Sequence, residues 1–356
     1  MDLREQRFGI EIEMTGITRN RAAQVMSEFF GNPLHDEGGS YGTFSVRDEQ
    51  GRLWKVVRDG SITCQRKLNG RTVATNNQYS VELVSPICRY EDIENLQELV
   101  RHLRQSGAFV NSSCGIHIHI DAAPFTAPQL RNLVNIMAAK EDMIYRALQV
   151  HRDREVTYCK KIDPDFLREL NRHKPTTLES LKQLWYRGDD GSAMHYHSSR
   201  YRCLNLHSVF QKGTIEFRAF NATLHAGVIK AYLQFCLAIT AQAHNQRSAS
   251  FKKTVSDNEK YTFRVWLLRL GMIGDEFKTA RHHLLNHLEG NIAWKDPAQA
   301  ERQKERRAAL REQKEREAAE QHLQSTEQLA QPEHEESPNR PETQQRPSGL
   351  SMSMTM

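Results

Sequence analysis

The sequence predicts an α+β fold in which a mainly antiparallel sheet is backed by helices. Apolar and polar side chains alternate over residues 8–14 and 114–121, as they do in strands with two different faces. The Asp59-Gly60 pair is a hairpin turn signal, which favours antiparallel neighbours. Long segments at 126–150 and 223–245 exceed the usual length of strands and predict helices. Strands joined by turns, with helices between and after them, are typical of the α+β class.

Each element in the first half of the chain has a local signal. The predicted elements are, in order, a strand at 8–14, a helix at 19–30, a loop at 37–45, strands at 53–57 and 62–64, a strand at 79–87, a helix at 92–105 and a strand at 114–121. The loop is predicted from its glycines, and the two short strands flank the Asp59-Gly60 turn. Pro86 stops the strand at 79–87 because proline has no N–H to donate to a neighbouring strand.

The second half of the chain is richer in helices. The predicted elements are, in order, a helix at 126–150, an irregular polar segment at 151–199 with short helices around Phe166 and Leu181, strands at 203–207 and 214–220 paired through Gln211-Lys212-Gly213, and helices at 223–245, 261–270 and 275–288. Glycine at the end of the Gln211-Lys212-Gly213 connection favours a turn, so the two strands are expected to lie side by side.

The composition changes near Lys295 and predicts three regions. Residues 1–294 are expected to form the folded domain, 295–331 a charged extension with helical character, and 332–356 a disordered tail. Beyond residue 295 the chain consists of Glu, Arg, Gln and Ala and then of Pro, Ser and Thr, with too few apolar side chains to build a core.

Charge, cysteine usage and hydropathy exclude several classes of protein. The net charge of +5 is spread along the chain rather than concentrated in a basic stripe, so we expect no nucleic-acid partner. Six cysteines without a CxxC pair indicate free thiols in a reducing compartment. The N-terminus has no apolar signal core, and the apolar segment at 231–243 is too short to span a bilayer. The protein is therefore expected to be cytoplasmic, with no membrane partner.

Four predicted strands carry an unusual polar face. Alternation places these residues opposite the apolar side of their strands: Glu11, Glu13, Glu82, His117, His119, Asp121, Glu216 and Arg218. A merely solvated face is the alternative, but such faces usually carry Thr, Lys, Arg and Gln, and glutamate is disfavoured in strands. Carboxylates crowded on one sheet would repel each other unless cations neutralise them. Carboxylates with one or two histidines suit Mg²⁺ or Mn²⁺, and a neighbouring arginine suits phosphate oxygens.

The same residues resemble the motifs of the amidoligase family, within the superfamily of glutamine synthetase and glutamate-cysteine ligase. The matching segments are Phe8-Gly9-Ile10-Glu11-Ile12-Glu13, Glu82-Leu83-Val84-Ser85-Pro86, Cys114-Gly115-Ile116-His117-Ile118-His119 and Thr214-Ile215-Glu216-Phe217-Arg218. Their order along residues 7–294 is similar to that of the family. The resemblance implies a glutamine-synthetase-like catalytic fold, in which the sheet forms a concave active-site face.

The resemblance also implies roles for individual residues. It implies metal ligands at Glu11, Glu13, Glu82, His117 and Glu216, and phosphate or transition-state contacts at His119, Arg202 and Arg218. Asp59 resembles an acid that helps to bind the amine, although a simple turn residue explains it equally well. Tyr201 and Asn205 flank Arg202 and are further candidates for the nucleotide site. A second metal site is either incomplete or filled by Asp121, Asp59 or water.

Three other polar residues are left outside the predicted site. Cys114 is interpreted as a packing residue because nothing in the sequence marks a base for it. His195 and His197 lie in a polar segment and are interpreted as surface or lid residues.

These observations predict an enzyme that uses ATP and Mg²⁺, or Mn²⁺, to join a carboxylate to an amine through an acyl phosphate. The substrates and the oligomeric state remain open. A metal-dependent hydrolase is the first alternative, because the strand at 117–121 begins like an HxHxDH zinc motif, but Ala122 replaces its last histidine. A non-catalytic scaffold with a partner-binding tail is the second. ATP consumption that requires both substrates distinguishes the ligase from both alternatives.

Overall fold

The protein is described by a computed structural model over residues 1–329. The predicted disordered tail at 332–356 lies outside the described residues. The chain divides into two compact units, Met1–Pro297 and Ala298–Met356. The strands are β1 (Phe8–Met14), β2 (Leu34–Gly38), β3 (Thr43–Arg47), β4 (Leu53–Val57), β5 (Gln65–Leu68), β6 (Arg71–Ala74), β7 (Val81–Val84), β8 (Gly115–Asp121), β9 (Leu204–Asn205) and β10 (Thr214–Asn221).

The helices lie between and after these strands, as the α+β prediction required. They are α1 (Arg19–Phe30), α2 (Ile93–Gln105), α3 (Ala127–Leu148), α4 (Arg152–Thr157), α5 (Pro164–His173), α6 (Leu178–Trp185), α7 (His207–Lys212), α8 (Ala226–Asn245), α9 (Glu259–Arg269), α10 (Lys278–Leu285) and α11 (Pro297–Leu329). Helix α11 occupies the segment for which a charged helix was expected, and the functional boundary at 294 stays a prediction.

Eight strands form one antiparallel sheet in the order β2-β3-β4-β7-β1-β8-β10-β9. Strands β5 and β6 form a separate two-stranded hairpin. The four strands with polar faces, β7, β1, β8 and β10, are direct neighbours in the centre of the large sheet. The mixed helical and antiparallel architecture expected from the sequence is confirmed.

One face of the sheet is covered by helices. The side chains of Ile10 and Ile12 on β1 and of Ile118 on β8 are at most 1% exposed. They belong to the same hydrophobic core as helices α3 and α8. Helix α8 is long and apolar enough to cross a membrane by composition, but most of it is buried inside the protein. Its apolar character is therefore explained by its place in the core.

Three predicted segments differ from the structure. Residues 37–45 were expected to be a loop, yet they include the end of β2, with Gly38, and the start of β3. Only Gly39 and Gly42 lie in the turn between these strands. Strand β2 is mostly exposed and carries no alternating pattern, so the backbone hydrogen bonds to β3 define it. Residues 62–64 are not a strand: β4 pairs with β3 and β7 instead, and the chain around Asp59-Gly60 is a loop.

The third difference concerns the predicted strand at 203–207. Only Leu204–Asn205 is a strand, and helix α7 continues from His207 to Lys212. The predicted pairing with β10 is nevertheless present, through Glu216 opposite Asn205. All six cysteines are free, and five of them are buried.

The end of the folded domain can be located by truncation. Asn258 is 2% exposed, and its side-chain N–H groups donate to the carbonyl oxygens of Asn291 at 3.0 Å and Trp294 at 2.7 Å. We expect a chain that ends at Trp294 to melt at the same temperature as the full chain. A chain that ends at Leu288 should lose about 1–3 kcal/mol, because the Asn258 amide is left without acceptors. Thermal unfolding checks both chains, and a destabilised 1–294 chain would contradict the boundary.

Candidate metal and substrate site

The polar side chains of four neighbouring strands meet on the sheet face opposite the helices. The register places Glu11 on β1 opposite His117 on β8, and Glu13 opposite Glu82 on β7. On the other side of β8, Glu216 lies opposite His119. Directly opposed residues of an antiparallel pair have Cβ atoms about 5 Å apart, so the register itself brings these side chains together. The sequence predicted this convergence from strand phase alone.

The side chains form three overlapping groups that can hold a metal ion. The groups are Glu11 with Glu82 and His117, Glu11 with His119 and Glu216, and Glu13 with Asp59 and Glu82, and within each group the donor atoms lie within 4.8 Å of one another. We call these residues the carboxylate cluster. Two groups combine carboxylates with one histidine and the third has carboxylates alone, and both kinds of donor set suit Mg²⁺ or Mn²⁺.

The imidazole of His119 supports a metal at this place. Its Nδ1 lies 2.9 Å from the hydroxyl of Thr214. Its Nε2 is buried without a hydrogen-bond partner, 3.4 Å from Glu11 Oε1 and 3.9 Å from Glu216 Oε1. A buried polar atom without a partner is costly, and a cation between these three atoms would satisfy it together with both carboxylates. The donor set therefore fits a divalent ion.

The carboxylates of the cluster differ in their protonation. Burial raises the pKa of Glu82 well above its ordinary value, and the neighbouring charges of Glu11 and Glu13 raise it further. Burial also raises the pKa of Glu13 to about 7, with a contribution from Asp59. Glu13 and Glu82 thus hold protons that a bound cation would displace.

The other side of the cluster is held in the ionised state. Burial opposes the charge of Glu216, but Arg218 and then His119 outweigh it and lower the pKa of Glu216 to about 2. Burial likewise opposes the charge of Glu11, whose pKa is nevertheless lowered by His119 and His117. Burial lowers the pKa of His117 to about 4, assisted by Arg218, which leaves a neutral imidazole able to ligate a metal.

Arg218 and Asn205 fix the position of Glu216. Arg218 is 4% exposed and donates from Nη1 to Glu216 Oε1 and from Nε to the carbonyl oxygen of Tyr158. Asn205 donates from Nδ2 to Glu216 Oε2 at 2.6 Å. Asn205, a predicted nucleotide contact, therefore acts in this structure as a support for Glu216.

Two cavities meet at the carboxylate cluster. The large cavity, about 540 Å³, is lined by Glu13, Asp59, Glu82, His117 and Arg218, among others. The small cavity, about 300 Å³, lies over Gly9 and is bounded by the segment 84–87 and by Lys212–Thr214 at the end of α7. Glu11 and Lys212 line both cavities. Strand β1 therefore runs from the small cavity at Gly9, past Glu11, to the large cavity at Glu13.

Several predicted site residues lie where the sequence did not place them. Arg202 lines a third cavity, where it donates to the carbonyl oxygen of Lys161 and to Asp163. Its neighbour Tyr201 lines the large cavity together with Arg200, which the sequence analysis missed. Arg202 was chosen from the resemblance to the amidoligase motifs, and the 3₁₀ turn at Ser198–Arg200 precedes it in the chain.

The other residues considered in the sequence analysis lie at different places relative to the carboxylate cluster. Asp59, whose role was open, joins the carboxylate cluster. Asp121 pairs with Arg7 and is not part of a metal group in the described residues, so the HxHxD pattern is not assembled. His195 lines the large cavity, whereas His197 lines the third one. The thiol of Cys114 is buried, which raises its pKa to about 11 and agrees with a packing role.

Two cationic residues at the site have no counterpart in the sequence prediction. Lys212, with its ammonium 3.9 Å from Glu11 Oε1, was interpreted as part of a turn. Arg154 on α4 lines the large cavity and is 3% exposed. Its guanidinium packs against Gly115, where any Cβ would overlap it. Gly115, at the start of β8, is the residue in the sequence that could have indicated this packing, because a glycine within a strand often marks the close approach of another group.

Comparisons with known proteins agree with these motifs. A family model described as a putative amidoligase enzyme matches residues 4–240, which include the whole carboxylate cluster. Among solved structures, the bifunctional glutathione synthetase from Pasteurella multocida aligns with 11% identity and a TM-score of 0.37. The alignment covers 80% of this chain and 47% of that protein, so this chain spans just under half its length. No curated protein matched the sequence.

The cluster predicts a pH-dependent effect of Mg²⁺ on stability. Burial raises the pKa of Glu13 to about 7 and the pKa of Glu82 well above its ordinary value, so the metal-free protein should lose stability as pH rises above the ordinary value of 4.5. We expect Mg²⁺ to raise the melting temperature more at about pH 8 than at about pH 5.5, since it displaces the protons of these carboxyl groups.

Substitution separates this effect from general pH sensitivity. Glu82→Gln should flatten the pH dependence of the metal-free protein and reduce the stabilisation by Mg²⁺. Glu98→Gln, on the exposed side of α2, is the control and should leave both unchanged. Thermal melts over a pH series measure these effects, and an Mg²⁺ shift that is independent of pH would contradict the protonation assignment.

Proposed function

The chain belongs to the putative amidoligase family, and from this premise we propose that it is an ATP-dependent ligase that joins a carboxylate to an amine through an acyl phosphate. The observation that carries the proposal is the convergence of Glu11, Glu13, Glu82 and Glu216 with two histidines and Arg218 between two cavities. Such a set suits a reaction that gathers phosphates, a metal and two organic substrates at one place.

The two cavities suit different ligands. The small cavity has apolar walls at Val84, Pro86 and Ile87, and its floor at Gly9 has no side chain, so a flat purine ring can lie against the backbone. Lys212 stands between this cavity and the cluster, where its ammonium can meet phosphate oxygens. The large cavity would then take the carboxylate and the amine, with the transferred phosphoryl group arriving at the cluster.

Glu11, His119 and Glu216 would hold one divalent ion, and Glu13, Glu82 and Asp59 are the donors for a second. A bound ion would neutralise phosphate charge during transfer. Arg218 is preorganised by Glu216 and can meet the charge that develops on the phosphoryl oxygens. The carboxylate oxygen attacks the γ-phosphorus of ATP and ADP leaves, which forms the acyl phosphate. The amine nitrogen then attacks the acyl carbon, the bond from this carbon to the phosphate oxygen breaks, inorganic phosphate leaves with the electron pair, and the proton of the amine passes to solvent.

The cellular setting follows from the same features. We expect the enzyme to act in the cytoplasm, because its six thiols are free and its apolar helix α8 belongs to the core. Metal-dependent hydrolysis is not favoured, since Asp121 is bound to Arg7 rather than directed at the cluster.

The proposed function is tested by ADP release. With pools of carboxylic acids and amines, ADP should form only when ATP, Mg²⁺ and both pools are present, and mass spectrometry should show an amide product. Glu216→Gln serves as the inactive control. Product formation without ATP would indicate a hydrolase or transferase, and no reaction with any pool would favour the scaffold alternative.

Arg218→Lys tests the phosphoryl contact. Lysine keeps the charge but loses the planar fork, so kcat and kcat/KM should fall together by about 10²–10³ with little change in KM for ATP. Arg202→Lys is the comparison, because its guanidinium binds Asp163 in another cavity, and we expect activity close to that of the unmodified chain. Steady-state ADP release measures both, and equal losses would return Arg202 to the site.

Lys212→Ala tests the path of the nucleotide. Removing an ammonium that contacts phosphate should weaken binding of a non-hydrolysable ATP analogue about tenfold, as measured by calorimetry with Mg²⁺. Lys182→Ala is the matched control, since Lys182 pairs with Asp190 and lines neither the small nor the large cavity. Unchanged affinity in Lys212→Ala would exclude the small cavity as the nucleotide site.

A further inference from the structure

Arg154 is a buried cation that forms no ion pair with a carboxylate in the described residues, although its charge acts on Glu13. Its side chain is 3% exposed, its Nη2 donates to the carbonyl oxygen of Arg218 at 3.3 Å, and its Nε has no hydrogen-bond partner. Within residues 1–329, no carboxylate oxygen forms an ion pair with its guanidinium at 4.0 Å or less. Arg154 is nevertheless one of the residues that line the large cavity.

The protein makes specific room for this guanidinium. Gly115 begins β8, and a Cβ at this position would overlap both terminal nitrogens of Arg154. The N–H of Gly115 donates to Glu13 Oε2 at 2.6 Å, which ties the same backbone to the carboxylate cluster. Any other residue at position 115 would displace the cation from the cavity wall.

A charge buried in this way opposes folding unless an anion compensates it. Arg52 provides the contrast, because it is held by the carboxylates of both Asp48 and Asp92. Arg154 forms no such ion pair in the described residues: the charge of Glu13 acts on it, but no carboxylate oxygen lies within 4.0 Å of its guanidinium. Arg154 does line the large cavity, where the anion of a ligand would complete the missing ion pair.

The location of Arg154 indicates which anion it would bind, a phosphate of the nucleotide or a carboxylate of the organic substrate. Gly115 lies at the Glu13 end of the cluster, whereas the small cavity lies at the Gly9 end of β1. Arg218 already faces Glu216, where the phosphoryl group would be transferred. An anion at Arg154 is thus on the side of the organic substrates rather than of the nucleotide.

We propose that Arg154 and Gly115 form an anion subsite that binds a second carboxylate of the acyl substrate, one that is not activated. The acyl substrate is accordingly a dicarboxylate, an acidic amino acid or a peptide with a free carboxylate. This identification of the ligand rests on the proposed function. The basic side chains of Arg58 and Arg200, which also line the large cavity, would attract such an anionic substrate.

Direct binding tests the subsite independently of catalysis. The probes are succinate, glutarate and adipate, each compared with its own monoamide by calorimetry with saturating Mg²⁺ and without nucleotide. At least one diacid should bind about tenfold or more tightly than its monoamide, as expected for a hydrogen bond to a charged group. Arg154→Ala should abolish this difference, and added methylguanidinium should restore part of it.

Two further variants control for folding. Arg154→Met keeps most of the side-chain volume and should lose the same discrimination while melting at or above the temperature of the unmodified protein. Arg52→Ala should melt lower, because Asp48 and Asp92 lose their partner, yet keep the discrimination. Unfolding of both Arg154 variants would show that the fold itself requires the cation, and would overturn the proposal.

The remaining outcomes are equally decisive. A diacid preference that survives in Arg154→Ala overturns the subsite, as does the absence of a preference at all three chain lengths. Inorganic phosphate is the third probe: if Arg154→Ala weakens phosphate binding and leaves the diacid preference intact, Arg154 is a phosphoryl contact instead. Failure to release ADP with any substrate pool would reject the proposed function and leave the binding result standing.

Discussion

The burial of several carboxylates side by side on one sheet face is the constraint on which the rest of the site depends. Glu216 can remain ionised because Arg218 is held against it. Glu13 and Glu82 have no such partner, and their raised pKa values reflect burial and mutual repulsion. In this cluster one carboxylate charge is neutralised by an arginine, while other carboxylates carry protons. A bound cation would replace these protons.

The sheet supplies the rigidity that this arrangement requires. Strands β7, β1, β8 and β10 are hydrogen-bonded neighbours, and their apolar faces are locked against α3 and α8. Because the register fixes which residues face each other, the donor atoms cannot separate to relieve their repulsion. The free energy of the apolar core thus holds together a polar face that would not assemble by itself.

Strand β1 runs between the two cavities. Gly9 lines the small cavity, Glu11 lines both cavities, and Glu13 lines the large cavity. Residues from outside the central strands also contribute to the site. They are Lys212 from α7, Asn205 from β9 and Arg154 from α4. The central strands therefore provide most of the groups that could hold a metal, and the surrounding segments provide the contacts that would distinguish ligands.

The sequence by itself determined the strands with polar faces and the metal-type residues on them. Alternation is a local property of the backbone, so residues such as Glu11 and His117 could be assigned to a face before any neighbour was known. Glycine-rich and irregular segments carry no such period. Only the tertiary structure decided the exposed hairpin strand β2, the loop that brings Asp59 to the cluster, and the place of Arg200 and Arg154 in the large cavity and of Arg202 in another cavity. Long-range pairing and packing fix the conformation of these segments.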